Sequence, residues 1–409
     1  MKLLFLLVNY NNLIILDNLL QHGVEVDVIL PESAMQFEIL NKLTSLYPNR
    51  HITNSIAKTV EHLFEKNNYA CIFPAFGDRS ILVVAELNKK FNLHGISPDT
   101  AKLINSKIGY YNLWHELQIP FPVLYDTLES CETLSTPPKN IKYPCIVKPS
   151  VGTASVGIQI IEDQQSLIDF FADTEEQLHK YQETHGVNYK KLQYCSGMHE
   201  YMIQTYVEGD VVSFIGHVYK EQIYFDFIFD IESTSYPYAA ETGLKYPSKY
   251  SSRLLQDKTT QYLKKFFDKI KFDNSPFMLD IIVDKNNKIH FIDFSPRLSV
   301  SHTLMWHAGE KDYGYKLINK LLHGIDYTLS INKSVLFRQL PFEKKEIQHI
   351  EIKENNLADV VSLPKGKIQM VRNDLSVFNN GWAIFTGSTP DDVEEKYRNF
   401  VSGIVVEYY

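Results

Sequence analysis

A mixed α/β fold built from two or three compact units is predicted by three features of this 409-residue sequence. The first 95 residues alternate short apolar runs with amphipathic stretches, in the β, α, β, α order of a small parallel sheet. Farther on, two pairs of apolar β runs flank a loop of small residues and a tight turn. A composition that is 44% hydrophobic and 22% charged supplies real cores for about three domains and excludes a disordered chain.

Taken in order, Lys2–Val8 is an apolar run too short for a secretory core, and no cleavage-like site precedes Asn9–Asn12, so it is read as a buried first strand. Asn12–Gln21 as helix, Glu25–Leu30 as strand, a helical stretch near Gln36–Tyr47, the strand Ala70–Phe73 and the helix Arg79–Phe91 complete the unit 1–95. Ligands of such sheets collect at the carboxyl ends of the strands, where Asn9–Asn12 and the segment FPAFGDR fall. Arg79 is available there for a carboxylate, its alternative being a surface residue at a helix start. Ser97, with Pro98 at the first helical position, is a good N-cap for a helix in SPDTAKLINSKIGYYNLWHELQIPFP, the segment that carries Lys107.

Cys145–Lys148 and Ile158–Ile161 read as strands around a loop holding Ser150, Gly152, Thr153, Ala154, Ser155 and Gly157. Backbone N–H groups of such a loop can close on an anion. Gly152 and Gly157 have P-loop spacing, but Ile158–Gln159 stand where Lys–Ser/Thr is required and a strand follows, which excludes that motif. Lys148 lies inside an apolar strand, where an ammonium is costly without a negative partner, unless it snorkels to solvent. Asp163–Tyr194 looks helical and polar, an exposed excursion. Tyr201–Val207 is an apolar run ending in Glu208–Gly209, and Val211–Tyr219 is a second strand. The connection Ser233–Tyr250 has no clear period, and loops of that length are often lids.

FMLDIIVDKNNKIHFIDFSPR reads as a β-hairpin, Phe277–Val283 and Ile289–Phe294, around Lys285–Asn286–Asn287–Lys288. A turn centred on Asn286–Asn287 sets Asp280 across from Asp293, on one face with Ile282 and Phe291. Opposed carboxylates repel unless a cation lies between them, the alternative being that one aspartate points into solvent at the rim. Ser295 and Arg297 follow at once, adding a hydroxyl and a permanent charge. Magnesium held by one or two carboxylates, with water and phosphate oxygens completing its shell, is the common use of such a pair.

Lys148-Pro-Ser-Val-Gly-Thr-Ala-Ser-Val-Gly, then the Tyr201–Glu208 segment, then Asp280, Asp293 and Arg297 in that order resemble the ATP-grasp ligases. The likeness spans roughly residues 1–325 in element order, and ETGLKYPS and the last 80 residues resemble the L-amino-acid ligase branch, which joins two amino acids and bears His where Leu244 stands. It implies an ATP-grasp fold with a Rossmann-like pre-ATP-grasp domain at 1–95, a grasp domain at 96–325 divided at 207/208, and a C-terminal subdomain at 326–409. It implies ATP contacts from Lys107, Lys148, Ser150, Gly152, Thr153, Ser155, Gly157, Gln204, Thr205, Val207 and Glu208, with Thr205 and Val207 using backbone groups and Glu208 reaching the ribose. Asp280, Asp293 and Ser295 would bind Mg2+ or Mn2+; Arg297 and Lys148 would act in catalysis; Arg79, Arg297, His302 and His307 would line the substrate pocket, a lone His being more often structural. Departures from the pattern are Asp293 and Ser295 where Glu and Asn are commoner, Thr205 for a common Glu, and Ser106 for Asp.

The activity so implied is an ATP-dependent carboxylate–amine ligation through an acyl phosphate, acting on small molecules, with room for a homodimer. A biotin-carboxylase-like enzyme and a nucleotide-binding regulatory module with a decayed site are the alternatives. A formal charge of −8 with Lys and Arg spread throughout gives no basic stripe, so nucleic acid is not an expected partner. No stretch approaches the ~18 apolar residues of a membrane span. Cys71, Cys131, Cys145 and Cys195 lack C-x-x-C spacing, which favours reduced thiols and a cytoplasmic protein.

Overall fold

A computed structural model describes residues 1–6, 13–31, 50–53, 55–74, 78–128, 140–150, 158–172, 200–233, 241–298, 300–342, 347–353, 355–363 and 381–409. Its first sheet contains β1 (Lys2–Leu6), β2 (Glu25–Pro31), β3 (Arg50–Thr53) and β4 (Cys71–Pro74), all parallel in the order β3-β2-β1-β4. Leu3 to Leu6 are buried without interruption, the run a strand needs when both its faces are covered. Helices Leu13–Gln21, Ile56–Lys66 and Asp78–Lys90 accompany the sheet. β3 and the helix Ile56–Lys66 were not anticipated. RHIT offers one aliphatic side chain and no alternation, so this edge strand is held by pairing to β2 rather than marked by pattern. The stretch 36–47 and Asn9–Asn12 lie outside the described residues.

Ser97 caps the next helix as expected, its hydroxyl accepting the Thr100 N–H at 3.1 Å. The chain then breaks: Pro98–Ile104 ends at Asn105, and a second helix, Lys107–Glu116, starts two residues later. Where one helix was expected, the interruption places Lys107 at a helix start, with its N–H donated to Ser150 O at 2.8 Å.

A small antiparallel sheet follows, in the order β5-β8-β6-β7, formed by β5 (Leu124–Leu128), β6 (Cys145–Pro149), β7 (Gln159–Ile161) and β8 (Tyr201–Thr205). A helical run over 164–172 packs on it through Leu167, Phe170 and Phe171. The rest of the polar excursion lies outside the described residues.

Among the described residues the largest sheet has eight strands, in the order β13-β12-β9-β10-β11-β14-β17-β16. They are β9 (Gly209–Tyr219), β10 (Gln222–Ser233), β11 (Glu241–Tyr246), β12 (Ser275–Asp284), β13 (Ile289–Ser295), β14 (Ser334–Gln339), β16 (Val360–Ser362) and β17 (Trp382–Gly387). β15 (Ile347–Ile352) pairs separately with β18 (Ile404–Tyr408). The expected Ser233–Tyr250 loop is therefore partly strand, because Glu241–Tyr246 pairs with both β10 and β14; residues 234–240 are not described. One face of the sheet buries Phe214, Phe277, Leu279, Ile281 and Phe291 against the helix Arg253–Ile270 and the Lys107 helix. Its other face meets the first sheet and the helix Tyr313–His323 through Phe5, Phe73, Ile215, Phe227 and Leu317. The closing helix, Pro390–Ser402, is capped by Thr389, which accepts the Asp392 N–H at 3.1 Å, and packs on β14 and β17 through Val393 and Phe400.

Candidate functional site

The β12–β13 hairpin does place Asp280 opposite Asp293, by a less direct route than a two-residue turn. Asp284 and Lys288 close a three-residue loop in which Asn287 takes the left-handed conformation, φ 57°, as the third loop residue commonly does. Pairs nearest the turn, Val283 with Ile289 and Ile281 with Phe291, are thus one residue out of the register that joins the two aspartates. A bulge at Ile292 restores it, and beyond the bulge Asp280 pairs with Asp293 and Met278 with Ser295. Phe291 consequently faces the opposite side from Asp280 and Ile282, correcting the expected common face; it is fully buried in the helix-covered core with Ile281.

Three other elements, and the segment that follows β13, converge on the pair. Lys107 donates Nζ to Asp293 Oδ1 at 2.8 Å, and the Tyr110 hydroxyl, one helical turn on, donates to the same oxygen at 2.5 Å. The Phe294 N–H adds a third donor at 3.0 Å. Lys148, at 5% exposure, donates to the Tyr111 hydroxyl and to Ile292 O, each at 3.0 Å, and lies 5.0 Å from the Tyr111 ring centre. Tyr111 in turn donates to Ile292 O at 3.0 Å. The bulge thus exposes a carbonyl that two groups use. Ser213 of β9 stands directly opposite Asp280. Arg297 is buried, donates Nη1 to Leu298 O at 3.1 Å, and lies close enough for its charge to act on Asp280.

The electrostatics of the two aspartates differ. Burial acts to raise Asp293, but Lys107 and Lys148 and the donors on Oδ1 outweigh it and hold the carboxyl below its usual value. Burial first, and the Asp293 charge second, push Asp280 up to about 7. Its Oδ1 is buried and has no hydrogen-bond partner among the described residues. Burial, with Lys107 adding to it, pushes Lys148 down to about 7, as for an ammonium that lacks an anionic ligand. Glu241 at the start of β11 is pushed up to about 8 by burial and by Asp280, so a third carboxyl belongs to this cluster.

Magnesium suits this donor set. The oxygens are hard, one is an unpartnered buried carboxylate oxygen, and Ser295 lies two residues along β13 on the Asp293 side. Among the described residues no group of three or more His, Cys, Asp or Glu could hold a metal ion by itself, so water and substrate oxygens would have to complete the shell.

Of the other predicted residues, Ser150 is buried and accepts the Lys107 N–H, whereas Gly152, Thr153, Ser155 and Gly157 lie outside the described residues. Gln204 is buried on β8, two residues on from Met202, which pairs with Lys148, and so shares the Lys148 face. The Thr205 N–H and hydroxyl are both engaged by Val123, at 2.9 Å each, while Val207 is half-buried and Glu208 exposed beyond the strand end. Arg79 falls in the helix Asp78–Lys90, and its side chain is not among those described. His302 is buried with its ring 5.3 Å from Tyr313. Burial pushes His307 down, and its charged neighbours are Asp359, Lys311 and Lys333 rather than the aspartate pair. Sequence reasoning missed Tyr110, Tyr111 and Glu241. The i, i+3 spacing of Tyr110 from Lys107 was the available signal for the first; Glu241 opens the segment ETGLKYPS, which the family resemblance marked without pointing to this carboxyl.

Residues 141–302 match the family described as ATP-grasp domain, so the chain carries an ATP-grasp domain and its fold is that of the superfamily. Among solved structures it is similar to an L-amino acid ligase from Bacillus licheniformis, with TM-score 0.78, 11% identity, and coverage of 100% of this chain and 98% of that one. Phosphoribosylglycinamide synthetase from Anaerococcus prevotii gives TM-score 0.65 and 16% identity over 100% and 99% of the two chains. The biotin carboxylase domain of the Hydrogenobacter thermophilus 2-oxoglutarate carboxylase, solved with MgADP, ADP and bicarbonate, gives 0.67 and 14% over 100% and 90%. At these identities the likeness is one of fold. No curated protein matches the sequence. No helix among the described residues is long and apolar enough to cross a membrane.

Proposed function

We propose that the protein is an ATP-dependent ligase that joins a small-molecule carboxylate, of the amino-acid class, to an amine with release of ADP and phosphate. The observation that carries this is the meeting of Lys107 and Lys148, from two separate elements, with Asp280, Asp293 and Arg297 of the hairpin and its exit, five ionisable side chains of which Asp280 has a buried carboxylate oxygen with no hydrogen-bond partner among the described residues. Such a mixed cluster has little purpose as a stability device, since buried charges of this kind are a burden to the free protein. It suits a triphosphate with a divalent cation.

In this proposal Lys107 and Lys148 hold ATP phosphates together with Ser150 and the loop of Gly152, Thr153, Ser155 and Gly157, and Gln204, Thr205, Val207 and Glu208 form the edge facing the base and ribose. Asp280 and Asp293, with Ser295, would hold Mg2+ or Mn2+, which when bound neutralises phosphate oxygens. Arg297 neutralises the transferring phosphoryl group. A substrate carboxylate oxygen attacks the γ-phosphorus and ADP leaves; the amine then attacks the acyl carbon, loses a proton, and phosphate departs. Glu241 adds a carboxyl that a cationic amine would ionise. The units 1–95, 96–325 and 326–409 are proposed as the domains that contribute to this site, with Arg79, His302 and His307 assigned to its substrate side.

Release of phosphate from ATP and Mg2+, measured across a panel of amino acids singly and in pairs with mass-spectrometric detection of products, tests the proposal. Turnover that requires amino acids and yields an amide supports it. Turnover that requires bicarbonate instead, or none with any addition, overturns it.

A further inference from the structure

Asp293 has two carboxylate oxygens, and the fold treats them differently. Oδ1 receives Lys107 Nζ at 2.8 Å, the Tyr110 hydroxyl at 2.5 Å and the Phe294 N–H at 3.0 Å, a full complement of donors for one oxygen. The side chain nevertheless keeps 29% exposure, and none of these three donors is on Oδ2. Across the hairpin, Asp280 Oδ1 is buried and has no hydrogen-bond partner among the described residues. Of the three donors on Asp293, Lys107 is the one that a nucleotide phosphate would compete for. Tyr110 is neutral, 1% exposed, and locked among Tyr111, Trp114 and Phe294 with ring centres 5.7, 4.7 and 6.5 Å away. That packing holds its hydroxyl at Asp293 Oδ1.

We infer that Tyr110 is a positioning residue for the cation site: its hydroxyl holds Asp293 Oδ1 after Lys107 turns to the nucleotide, and so keeps Oδ2 directed at a divalent cation shared with Asp280. This deepens the proposed function and rests on it. Without the hydroxyl, Asp293 would keep a single backbone donor in the nucleotide-bound protein, and its carboxylate would be free to rotate about χ2, a broad torsion for aspartate. Removing the supporting partner of a ligating side chain typically weakens metal affinity by about 10–100-fold.

The test is Tyr110→Phe, which deletes one oxygen and leaves the packed ring. Calorimetric titration of Mn2+ into protein with ADP should show affinity at least tenfold weaker than wild type. ADP binding in EDTA, where no cation takes part, should stay within twofold, and the melting temperature should stay near that of wild type. In an Asp293→Asn background the same substitution should add no further loss, because the group it positions has been removed. Turnover at saturating Mn2+ should recover toward wild type, a rise in the half-saturating metal concentration with kcat little changed. Unchanged Mn2+ affinity overturns the inference. So does a fall in metal and nucleotide affinities together with melting temperature, or failure of Tyr110→Phe to fold, since either assigns the hydroxyl to stability. If wild-type protein itself binds no Mn2+ in the presence of ADP, the proposed function fails rather than this inference alone.

Discussion

Asp280 and Asp293 face each other but carry unequal charge, and the inequality determines how each responds to substitution. The Asp280 carboxyl, raised from 3.8 to about 7 by burial and by Asp293, binds its proton more tightly folded than unfolded. Its contribution to stability is therefore complete below about pH 4 and is lost as pH rises through 7. Asp280→Asn should leave the melting temperature unchanged at acid pH and raise it by about 3 °C above pH 7, while abolishing turnover. Asp293, held below its usual value, has the opposite sign: its contribution is present above the unfolded value of 3.8 and is lost as pH falls through the lower folded one. Asp293→Asn removes the negative charge that Lys107 bonds to and should cost about 2 kcal/mol at pH 7, in denaturant titrations, as well as turnover. Equal responses of the two variants would contradict the assigned asymmetry. Lys148 is pushed down to about 7 by burial and then by Lys107, which brings its titration toward neutral pH in the free protein. A bound phosphate favours its charged form, so ATP affinity should fall by up to about tenfold per pH unit above 7, and the slope should vanish in Lys148→Arg. Calorimetry between pH 6.5 and 8.5 reads this directly; a wild-type affinity flat over that range would contradict the lowering assigned to Lys148.

At the scale of elements, the site depends on two compensating irregularities in one hairpin. The loop Lys285–Asn287 takes the strands one residue out of register and the bulge at Ile292 brings them back. The alternation of FMLDIIV and the turn residues marked the hairpin in the sequence, and the opposition of Asp280 and Asp293 was legible. The bulge was not, because Ile289, Phe291, Ile292 and Phe294 are all apolar and any register buries something acceptable. Asn287 at φ 57° is the residue that makes the three-residue loop inexpensive. Asn287→Gly should be within about 0.5 kcal/mol of wild type, whereas Asn287→Val should lose about 1–2 kcal/mol through left-handed strain. Chemical denaturation of the two variants checks this, and equal stabilities would mean that the loop does not impose the conformation. The break between Ile104 and Lys107 was equally illegible: Asn105–Ser106 carries no proline or glycine, and the interruption follows from tertiary bonds, the Lys107 N–H to Ser150 O and the Thr100 hydroxyl to Ile270 O.

For the whole molecule, the order of elements and the chemistry-bearing residues were readable because phosphate and metal chemistry demands particular residue types at strand ends. The packing that joins them was less so. The sheet runs without interruption from β13 through β9 and β11 to β16, so strands from the hairpin and from the last quarter of the chain share one hydrogen-bonded surface. Glu241 enters the site through that sheet, from a segment whose local pattern gave no strand signal. The central claim is that this assembly activates a carboxylate as an acyl phosphate, made beside Arg297 and the aspartate pair. It is tested most directly by supplying the amino-acid substrate identified in the panel with ¹⁸O in its carboxylate, together with ATP, Mg2+ and the amine. The oxygen that attacks the γ-phosphoryl group leaves with it, so one label per turnover should appear in released phosphate, with ADP as the nucleotide product. Unlabelled phosphate, or AMP and pyrophosphate as products, would contradict the account.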